Sequence, residues 1–295
     1  MKVHNLFYLL IFSYNFLSCV TTKNAIKDFN NAEYFNAANK FEKTLKSGDA
    51  KNNFLLAESL RKSNRLWQAE KFYRDAIKNG IDDEMAYYYL VLSLKANNNY
   101  KQADSLIINY LNKGEDESVI SLLRKEAIYI NNLKNYPDTS YYRVKNLKAI
   151  NTKFAEYSPS FSNEKLYFVS NRQSEKIYSG TGTPFTDLYE IKSRGANVDI
   201  NSLKKLEDNI NQEKVNEGSI TFSEDGTYMI FAKGNDGKSS GRNNVDLYWS
   251  RFRRGGWTNP RLLNVNTSRS WDSTPFLSKD GKTLYFASNR AKGYG

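Results

Sequence analysis

The chain has 295 residues and a formal net charge of +11, from 43 lysine and arginine residues against 32 aspartate and glutamate residues. Hydrophobic residues make up 40% and charged residues 25%, a composition that allows a buried core, and the length corresponds to about two domains. The single histidine is His4 and the single cysteine is Cys19. The chain beyond Cys19 therefore lacks the groups for Ser-His-Asp or Cys-His catalysis, Cys/His zinc sites, His-ligated haem and disulfide frameworks.

The N-terminal segment has the pattern of a secretory signal peptide, which we predict to span residues 1–18. A short start that carries Lys2 precedes the apolar residues 6–17, which Ser13 and Asn15 interrupt. This stretch is too short to cross a bilayer, which requires about 20 apolar residues, and small or polar residues follow it, as in signal peptides. The alternative, a buried N-terminal helix, is disfavoured because lysine- and asparagine-rich sequence begins immediately afterwards.

The end of this segment, Phe16-Leu17-Ser18-Cys19, resembles a bacterial lipobox, although Phe16 stands where that motif usually has leucine. The resemblance implies that Cys19 is acylated and becomes the first residue of a lipidated N-terminus at residues 19–23. Several acyl chains anchor a protein stably, whereas one chain is marginal. The alternative is an ordinary cleaved signal peptide that ends beside an incidental cysteine.

A repeat of helical spacing follows. Ala37, Ala69 and Ala103 recur at a nearly constant interval, and each lies in the same pattern of four positions separated by three, four and three. That spacing places the four positions on one face of a helix. A helix pair cannot bury such a face alone, so units that stack at a fixed period make a continuous core.

The repeat resembles the tetratricopeptide repeat, with a further helix over residues 117–132. We therefore predict an α-solenoid over residues 24–135, and the alternative is an unrelated helical bundle. The resemblance implies a concave surface that binds a peptide or protein partner. The array could instead be a spacer, and the exposed residues expected around Tyr87, Tyr88 and Tyr89 fit either role.

The helical pattern ends at Pro137, the first proline of the chain, because proline cannot continue a helix. Downstream, apolar residues alternate with polar ones instead of recurring at helical spacing. We predict a linker over residues 136–152 and a second domain of β-structure over residues 153–295.

The second domain contains three copies of a hairpin, in which Phe161, Phe222 and Leu277 occupy equivalent positions. The second and third copies carry an Asp-Gly pair, which predicts a tight turn between two strands. The first two copies continue into a strand that begins Asp-Leu-Tyr. The Asp-Gly pairs lie at residues 225–226 and 280–281, and the Asp-Leu-Tyr sequences lie at residues 187–189 and 246–248.

This repeat resembles the TolB-type propeller repeat, and the copy that departs least is Ser-Thr-Pro-Phe-Leu-Ser-Lys-Asp-Gly-Lys-Thr-Leu-Tyr-Phe-Ala-Ser-Asn-Arg at residues 273–290. Propellers close with about four to eight blades, whereas residues 153–295 hold two and a half copies. We therefore expect an incomplete antiparallel β-propeller in a chain that is a fragment of a longer protein. The alternatives are a β-sandwich and a ring that closes by oligomerisation.

Two glycine-rich patterns mimic catalytic motifs. Residues 232–239 fit a degenerate phosphate-binding loop, and residues 237–241 fit Gly-x-Ser-x-Gly. Both motifs need a following helix, but an Asp-Leu-Tyr strand follows here, so we interpret them as a polar loop. Asp187 and Asp246 could be acids or calcium ligands, but at a repeated strand start they fit turn-capping residues better.

The positive net charge does not indicate nucleic acid binding, because the basic residues are scattered. The densest cluster, Arg251, Arg253 and Arg254, lies beside a Gly-Gly turn. Such a surface is either solvated or suited to an acidic partner or an anionic envelope polymer. We predict no nucleic-acid partner, no cofactor, no metal ion and no catalytic residue, so the chain is not expected to be an enzyme.

The order of modules resembles that of a family of Bacteroidetes OmpA-family envelope lipoproteins. The resemblance implies a lipid anchor at Cys19 in the outer membrane, on the periplasmic side, with envelope proteins as partners of both domains. Family members are associated with type IX secretion and gliding motility, and peptidoglycan is bound by a C-terminal OmpA-like domain that this sequence does not contain. The resemblance predicts an α + β multidomain, non-enzymatic scaffold that links such a complex to the cell wall.

Two other functions stay open. A propeller can gate a C-terminal serine peptidase whose catalytic domain lies outside this sequence, although a helical repeat before the propeller argues against it. A periplasmic accessory protein like TolB would lack the lipid. Acylation of Cys19 therefore separates the scaffold from the accessory protein.

Overall fold

The chain forms two compact units, one of helices and one of antiparallel strands. The computed structural model describes residues 22–46, 48–135, 146–234, 245–268 and 270–291. The predicted combination of an α-helical part and an antiparallel β part is confirmed. Cys19, the signal peptide at residues 1–18 and much of the predicted linker lie outside the described residues.

Seven helices make up the described part of the first unit, to which Ser179–Thr181 also belong. They are α1 (residues 22–30), α2 (Tyr34–Thr44), α3 (Ala50–Lys62), α4 (Glu70–Lys78), α5 (Met85–Ala96), α6 (Tyr100–Lys113) and α7 (Glu117–Asn135). From α2 onward, each helix packs against the next one. A 3-10 turn at Leu66–Gln68 precedes α4, so the second copy of the predicted helical face begins in this turn and not in the α-helix.

The three repeated alanines lie in the core of the helical unit. Ala37, Ala69 and Ala103 are fully buried, and so is the larger residue four positions after each of them. Small side chains leave room for a neighbouring helix in an interior that is packed as densely as an organic crystal. The face that the spacing predicts is therefore the buried face.

Replacing Ala103 by leucine is expected to destabilise the protein, because extra methylene groups in a filled core displace neighbouring side chains at a cost of about 1–3 kcal/mol. The measurement is the midpoint of urea denaturation. Lys101→Leu is the matched control, since it places leucine at an exposed position of the same helix, where substitutions change stability by about 0.5 kcal/mol or less. Equal effects of the two variants would contradict the packing role of Ala103.

Three antiparallel sheets make up the described part of the second unit. The strands are β1 (Glu156–Ser162), β2 (Lys165–Ser170), β3 (Asp187–Arg194), β4 (Asn197–Val198), β5 (Lys204–Lys205), β6 (Asn216–Phe222), β7 (Tyr228–Gly234), β8 (Val245–Arg253), β9 (Gly256–Trp257), β10 (Arg261–Leu262), β11 (Asp272–Leu277) and β12 (Leu284–Ser288). The first sheet has the order β1-β2-β3-β4, with β5 also paired to β3. The second has the order β10-β8-β7-β6, with β9 paired to β8, and the third is the hairpin β11-β12.

The hairpin turns follow the sequence repeat. Asp225 accepts hydrogen bonds from the Ser223 hydroxyl at 2.6 Å and the Thr227 N–H at 2.9 Å, and Gly226 has a φ of 66°. These bonds to the carboxylate hold the pKa of Asp225 below its ordinary value. The Asp-Gly turn at residues 280–281 has the same hydrogen bonds, so both predicted tight turns are confirmed.

A β-bulge interrupts the first hairpin of every sheet at the same position. Ser158, Ser219 and Thr274 have positive φ angles of 54°, 27° and 51°, and the pairing register shifts beside each of them. A bulge bends its strand and re-aims the neighbouring side chains. No glycine marks these positions, so the bulge is not visible in the hairpin pattern of the sequence.

The three sheets pack face to face in the order of the chain. Tyr167 of β2 lies in one core cluster with Phe231 of β7. Ile230, the preceding residue of β7, lies in a second cluster with Phe286 of β12. Because successive residues of a strand point to opposite faces, the second sheet packs against its predecessor with one face and against its successor with the other.

Candidate functional site

An acidic residue stands at the start of each sheet. Glu156, Glu217 and Asp272 follow the hairpin repeat, since each lies five positions before the residue that aligns the three copies. Their side chains are buried, and a buried carboxylate needs partners to stay in a folded protein. Their cross-strand partners in the pairing register are Ser170, Lys233 and Ser288.

In the first sheet, an arginine neutralises the acid. The Arg172 Nη2 lies 3.1 Å from Glu156 Oε1 and 2.7 Å from the carbonyl oxygen of Ile150. Thr152 donates its hydroxyl and its N–H to the same carboxylate, at 2.6 and 3.0 Å. Burial opposes ionisation, but these hydrogen bonds outweigh it and hold the pKa of Glu156 below its ordinary value. Arg172 thus ties the start of β1 to the segment that precedes the sheet.

The third sheet repeats this arrangement. The Arg290 Nη2 lies 2.9 Å from Asp272 Oδ1 and donates to the carbonyl oxygen of Val265 at 3.0 Å. Ser270 donates its hydroxyl to the other carboxylate oxygen at 3.1 Å. Burial again opposes ionisation, and the hydrogen bonds together with Arg290 again hold the pKa of Asp272 below its ordinary value. We call each set of acid, cation and accepting carbonyl a junction cluster.

The junction cluster of the second sheet has a lysine in place of the arginine. The Lys233 Nζ lies 3.4 Å from Glu217 Oε1 and 3.2 Å from the carbonyl oxygen of Ile210, and the Gln212 N–H donates to the same Oε1 at 3.1 Å. The other oxygen, Oε2, is buried and has no hydrogen-bond partner among the described residues. Burial raises the pKa of Glu217 to about 8 and lowers the pKa of Lys233. This cluster is the least well paired of the three.

An asparagine side chain, buried at Asn211 and half-buried at Asn266, accompanies two of the junction clusters. Asn211 accepts the Leu188 N–H at 2.7 Å and donates to the Leu188 carbonyl at 3.1 Å. Asn266 makes the same two bonds with Leu247, both at 2.8 Å. Each leucine is the middle residue of an Asp-Leu-Tyr sequence. The asparagine therefore fixes the third strand of one sheet to the connection that leads to the next sheet.

The sequence carries a signal for this arrangement beyond the hairpin pattern. An apolar residue, an asparagine and a threonine or glutamine recur at residues 150–152, 210–212 and 265–267. The carbonyl oxygen of the first residue accepts a hydrogen bond from the cation. The backbone N–H of the third residue donates to the acid. The first copy departs at its second position, because Asn151 is exposed and bonds to Asn146.

The acids of the two Asp-Leu-Tyr sequences were interpreted as turn caps, and the structure gives one of them another role. The Lys205 Nζ of β5 lies 2.8 Å from Asp187 Oδ1 of β3, so the Asp187 carboxylate forms an ion pair between neighbouring strands. Burial raises the pKa of Asp187 and of Asp246. Within the described ranges, no group of three or more His, Cys, Asp or Glu side chains is placed to hold a metal ion.

The three consecutive tyrosines of the helical unit are half-buried and divide between two environments. Tyr87 packs against Tyr110, with ring centroids 4.9 Å apart. Tyr89 instead lies beside Tyr88 at 5.4 Å and has the Arg61 guanidinium 3.9 Å from its ring centroid. The expectation that these tyrosines are exposed is therefore wrong, because all three are half-buried.

A second cation–ring contact joins Lys95, farther along α5, to Tyr129 of α7. The Lys95 Nζ lies 4.0 Å from the ring centroid of Tyr129 and forms an ion pair with Glu126. Aromatic and arginine side chains are enriched in protein interfaces. We define the aromatic–cation surface as Arg61, Tyr88, Tyr89, Lys95 and Tyr129.

The two glycine-rich patterns at residues 232–239 and 237–241 lie mostly outside the described residues. Their described flanks are the end of β7 and the start of β8, and neither is the helix that a phosphate loop or a nucleophile elbow requires. Among the helices that the structure describes, none is long and apolar enough to cross a bilayer.

Comparison with known proteins does not assign the chain to a family. No family model and no curated protein matches it. A chain from a structural study of two prolyl endopeptidases is similar at a TM-score of 0.26 and 15% sequence identity, over 60% of this chain and 32% of that chain. This chain thus spans about a third of the endopeptidase, and a likeness at this level carries no argument about activity.

Glu217→Gln is expected to flatten the pH dependence of stability. The folded-state pKa of about 8 exceeds the ordinary value of 4.5, so the folded protein keeps a proton that the unfolded chain releases between about pH 4.5 and pH 8. The stability that this group contributes is present below that window and is lost as the pH rises through it. We expect the urea midpoint to fall more steeply across the window in the wild-type protein than in the variant.

The matched control for that experiment is Glu156→Gln. The pKa of Glu156 is held below its ordinary value, so its contribution is present above that value and is lost on acidification. The two variants should therefore change the pH profile in opposite directions. A wild-type slope that Glu217→Gln leaves unchanged would contradict the raised pKa.

Asn211→Ala is expected to destabilise the protein, because it leaves the buried Leu188 N–H without its hydrogen-bond acceptor, whereas the Leu188 carbonyl keeps the Leu206 N–H at 2.9 Å. Each buried polar group left unpaired costs about 1–3 kcal/mol. The control is Asn151→Ala at the equivalent exposed position of the first copy, which should cost about 0.5 kcal/mol or less. The shift of the denaturant midpoint measures the destabilisation by each variant. A shift for Asn211→Ala no larger than that for Asn151→Ala would contradict the role of Asn211 in holding the strand to the connection.

Proposed function

We propose that this chain is a non-enzymatic scaffold of the bacterial cell envelope, in which a tetratricopeptide-like solenoid precedes blades of a β-propeller. The observation that carries the proposal is the repetition inside both units. In the second unit this repetition extends to the junction clusters, in which a buried acid at the start of each sheet is paired with a cation. A chain organised in this way presents surfaces to partners instead of gathering reactive groups in a cleft.

Support for the solenoid comes from the buried alanines and from the packing of successive helices. In solenoids each repeat mainly contacts its neighbours. The aromatic–cation surface adds rigid rings and a guanidinium, the side-chain types that most often dominate binding energy in protein interfaces. We infer that an envelope protein, or an extended peptide segment of one, binds there.

Support for the propeller comes from the way the sheets stack. A β-sandwich packs two sheets over a single core, whereas the second sheet here contributes its two faces to two successive cores. Radial repetition of small antiparallel sheets is the arrangement of propeller blades. The repeated bulge and junction cluster at the start of each sheet fit a blade as the repeating unit.

The proposed location depends on the sequence of the N-terminal segment. Acylation of Cys19 after removal of the signal peptide would anchor the protein in the outer membrane, on the periplasmic side. The type IX secretion and gliding-motility complexes are the partners that the family resemblance suggests, with peptidoglycan bound through a further C-terminal domain. No nucleic acid, cofactor or metal ion enters the proposal.

Metabolic labelling with an alkyne fatty acid in a Gram-negative host tests the anchor. We expect labelled wild-type protein in the outer-membrane fraction, because several acyl chains give stable attachment. Cys19→Ser should be unlabelled and soluble, and the control Ser13→Ala should be labelled like the wild-type protein. Unlabelled, soluble wild-type protein would instead favour the TolB-like accessory function.

Photocrosslinking in the native cell type tests the aromatic–cation surface. A photoreactive phenylalanine analogue in place of Tyr88 is expected to give one dominant adduct of defined mass with an envelope protein. The same analogue in place of Lys101, which is exposed on α6, serves as the control and should give none. Identical adducts at both positions, or no adduct at Tyr88, would contradict a specific partner at this surface.

A further inference from the structure

One face of the third sheet differs from its counterparts in the other two. Tyr167, Ile230 and Tyr285 are equivalent residues on the second strand of each sheet, because they pair with equivalent residues of the first strand in the shared hairpin register. Tyr167 is 4% exposed and Ile230 is 9% exposed, but Tyr285 is 60% exposed. Beside it, Phe276 is 62% exposed, and the two ring centroids are 6.3 Å apart.

The covered counterparts show what such a face receives. The Tyr167 face of the first sheet packs against Met229 and Phe231 of β7. The Ile230 face of the second sheet packs against Leu284 and Phe286 of β12. In both cases the covering group is a pair of large apolar side chains at alternate positions on the second strand of the next sheet.

We propose that Phe276 and Tyr285 are the docking surface for a fourth antiparallel sheet of the same repeat, whose second strand places two large apolar side chains, at alternate positions, over these rings. The surface continues the two established sheet-to-sheet interfaces with the same geometry and the same residue positions. The inference rests on the blade-like stacking of the sheets in the proposed function and is independent of the scaffold role and of acylation at Cys19.

A second copy of this chain does not fit the surface. The face of the first sheet that would have to cover it carries Leu166 and Phe168, and these are already buried in a cluster with Ile150. A self-complementary contact through two aromatic rings is also too small. Each aromatic side chain buries about 150–250 Å², whereas a stable interface buries about 800 Å² on each partner.

Extension of the chain by one repeat tests the proposal. A second copy of residues 237–291 is inserted after Ala291, which continues the interval between the second and third hairpins, and Tyr285→Phe in the inserted copy distinguishes the two peptides by mass. Hydroxyl-radical oxidation of Tyr285 is then measured by mass spectrometry. We expect the rate to fall on the order of tenfold, the ratio of the exposed fractions of Tyr285 and its covered counterparts.

The matched control carries Leu284→Lys and Phe286→Lys in the inserted copy only, and should oxidise Tyr285 as fast as the unextended chain. A folded extension that leaves Tyr285 reactive overturns the proposal, and so does equal protection by the control. Oxidation of Tyr285 in the unextended chain that slows as the protein concentration rises also overturns it, because a second copy would then cover the face.

A second measurement does not depend on folding of the insert. Tyr285→Ser in the unextended chain should leave the Tm within about 2 °C of the wild-type value, because the exposed ring contributes little buried area to stability. Tyr167→Ser, at the covered equivalent position, should lower the Tm by roughly 10 °C. A large decrease for Tyr285→Ser would show that the ring is already covered and would overturn the proposal.

Discussion

The sheets of the second unit depend on how one buried carboxylate at the start of each is neutralised. An ionised carboxylate removed from water is costly unless a cation and hydrogen bonds replace its hydration. Arg172 and Arg290 meet this need and at the same time hold a backbone carbonyl of the preceding segment. One side chain thus joins the first strand, the end of the second strand and the connection that precedes them both.

The middle cluster shows what the choice of cation changes. A guanidinium offers several donors in a fixed plane, whereas an ammonium is a compact point charge. With Lys233, the second oxygen of Glu217 keeps no partner among the described residues, and both groups shift toward their neutral forms. The same fold position therefore holds two acids whose pKa is below its ordinary value and one, Glu217, whose pKa is raised to about 8.

The sequence predicted the elements well where one residue type has one structural consequence. Alanines at helical spacing predicted the buried helical face, and Asp225-Gly226 predicted a tight turn. The junction clusters were not predicted for two reasons. The acid and its cation lie on opposite sides of a hairpin, 16 residues apart in the first sheet and 18 in the third, and the cation is a lysine in the second sheet. No residue type at Ser158 predicts the bulge there. The desolvation of Glu217 was not predicted either, because it depends on how the folded chain packs around the side chain. Cys19, the one predicted site residue, lies outside the described residues and stays a prediction.

Sheets joined in this way have a mechanical consequence when the second unit is placed under tension. Successive junction clusters lie roughly 60 residues apart, so release of one sheet under tension adds about 200 Å of extended chain. The second cluster, with the Lys233 Nζ 3.4 Å from its acid and one carboxylate oxygen unpaired among the described residues, is the least well paired of these joints. Stretching of this unit would then lengthen it in discrete steps of nearly equal length, one for each sheet that is released.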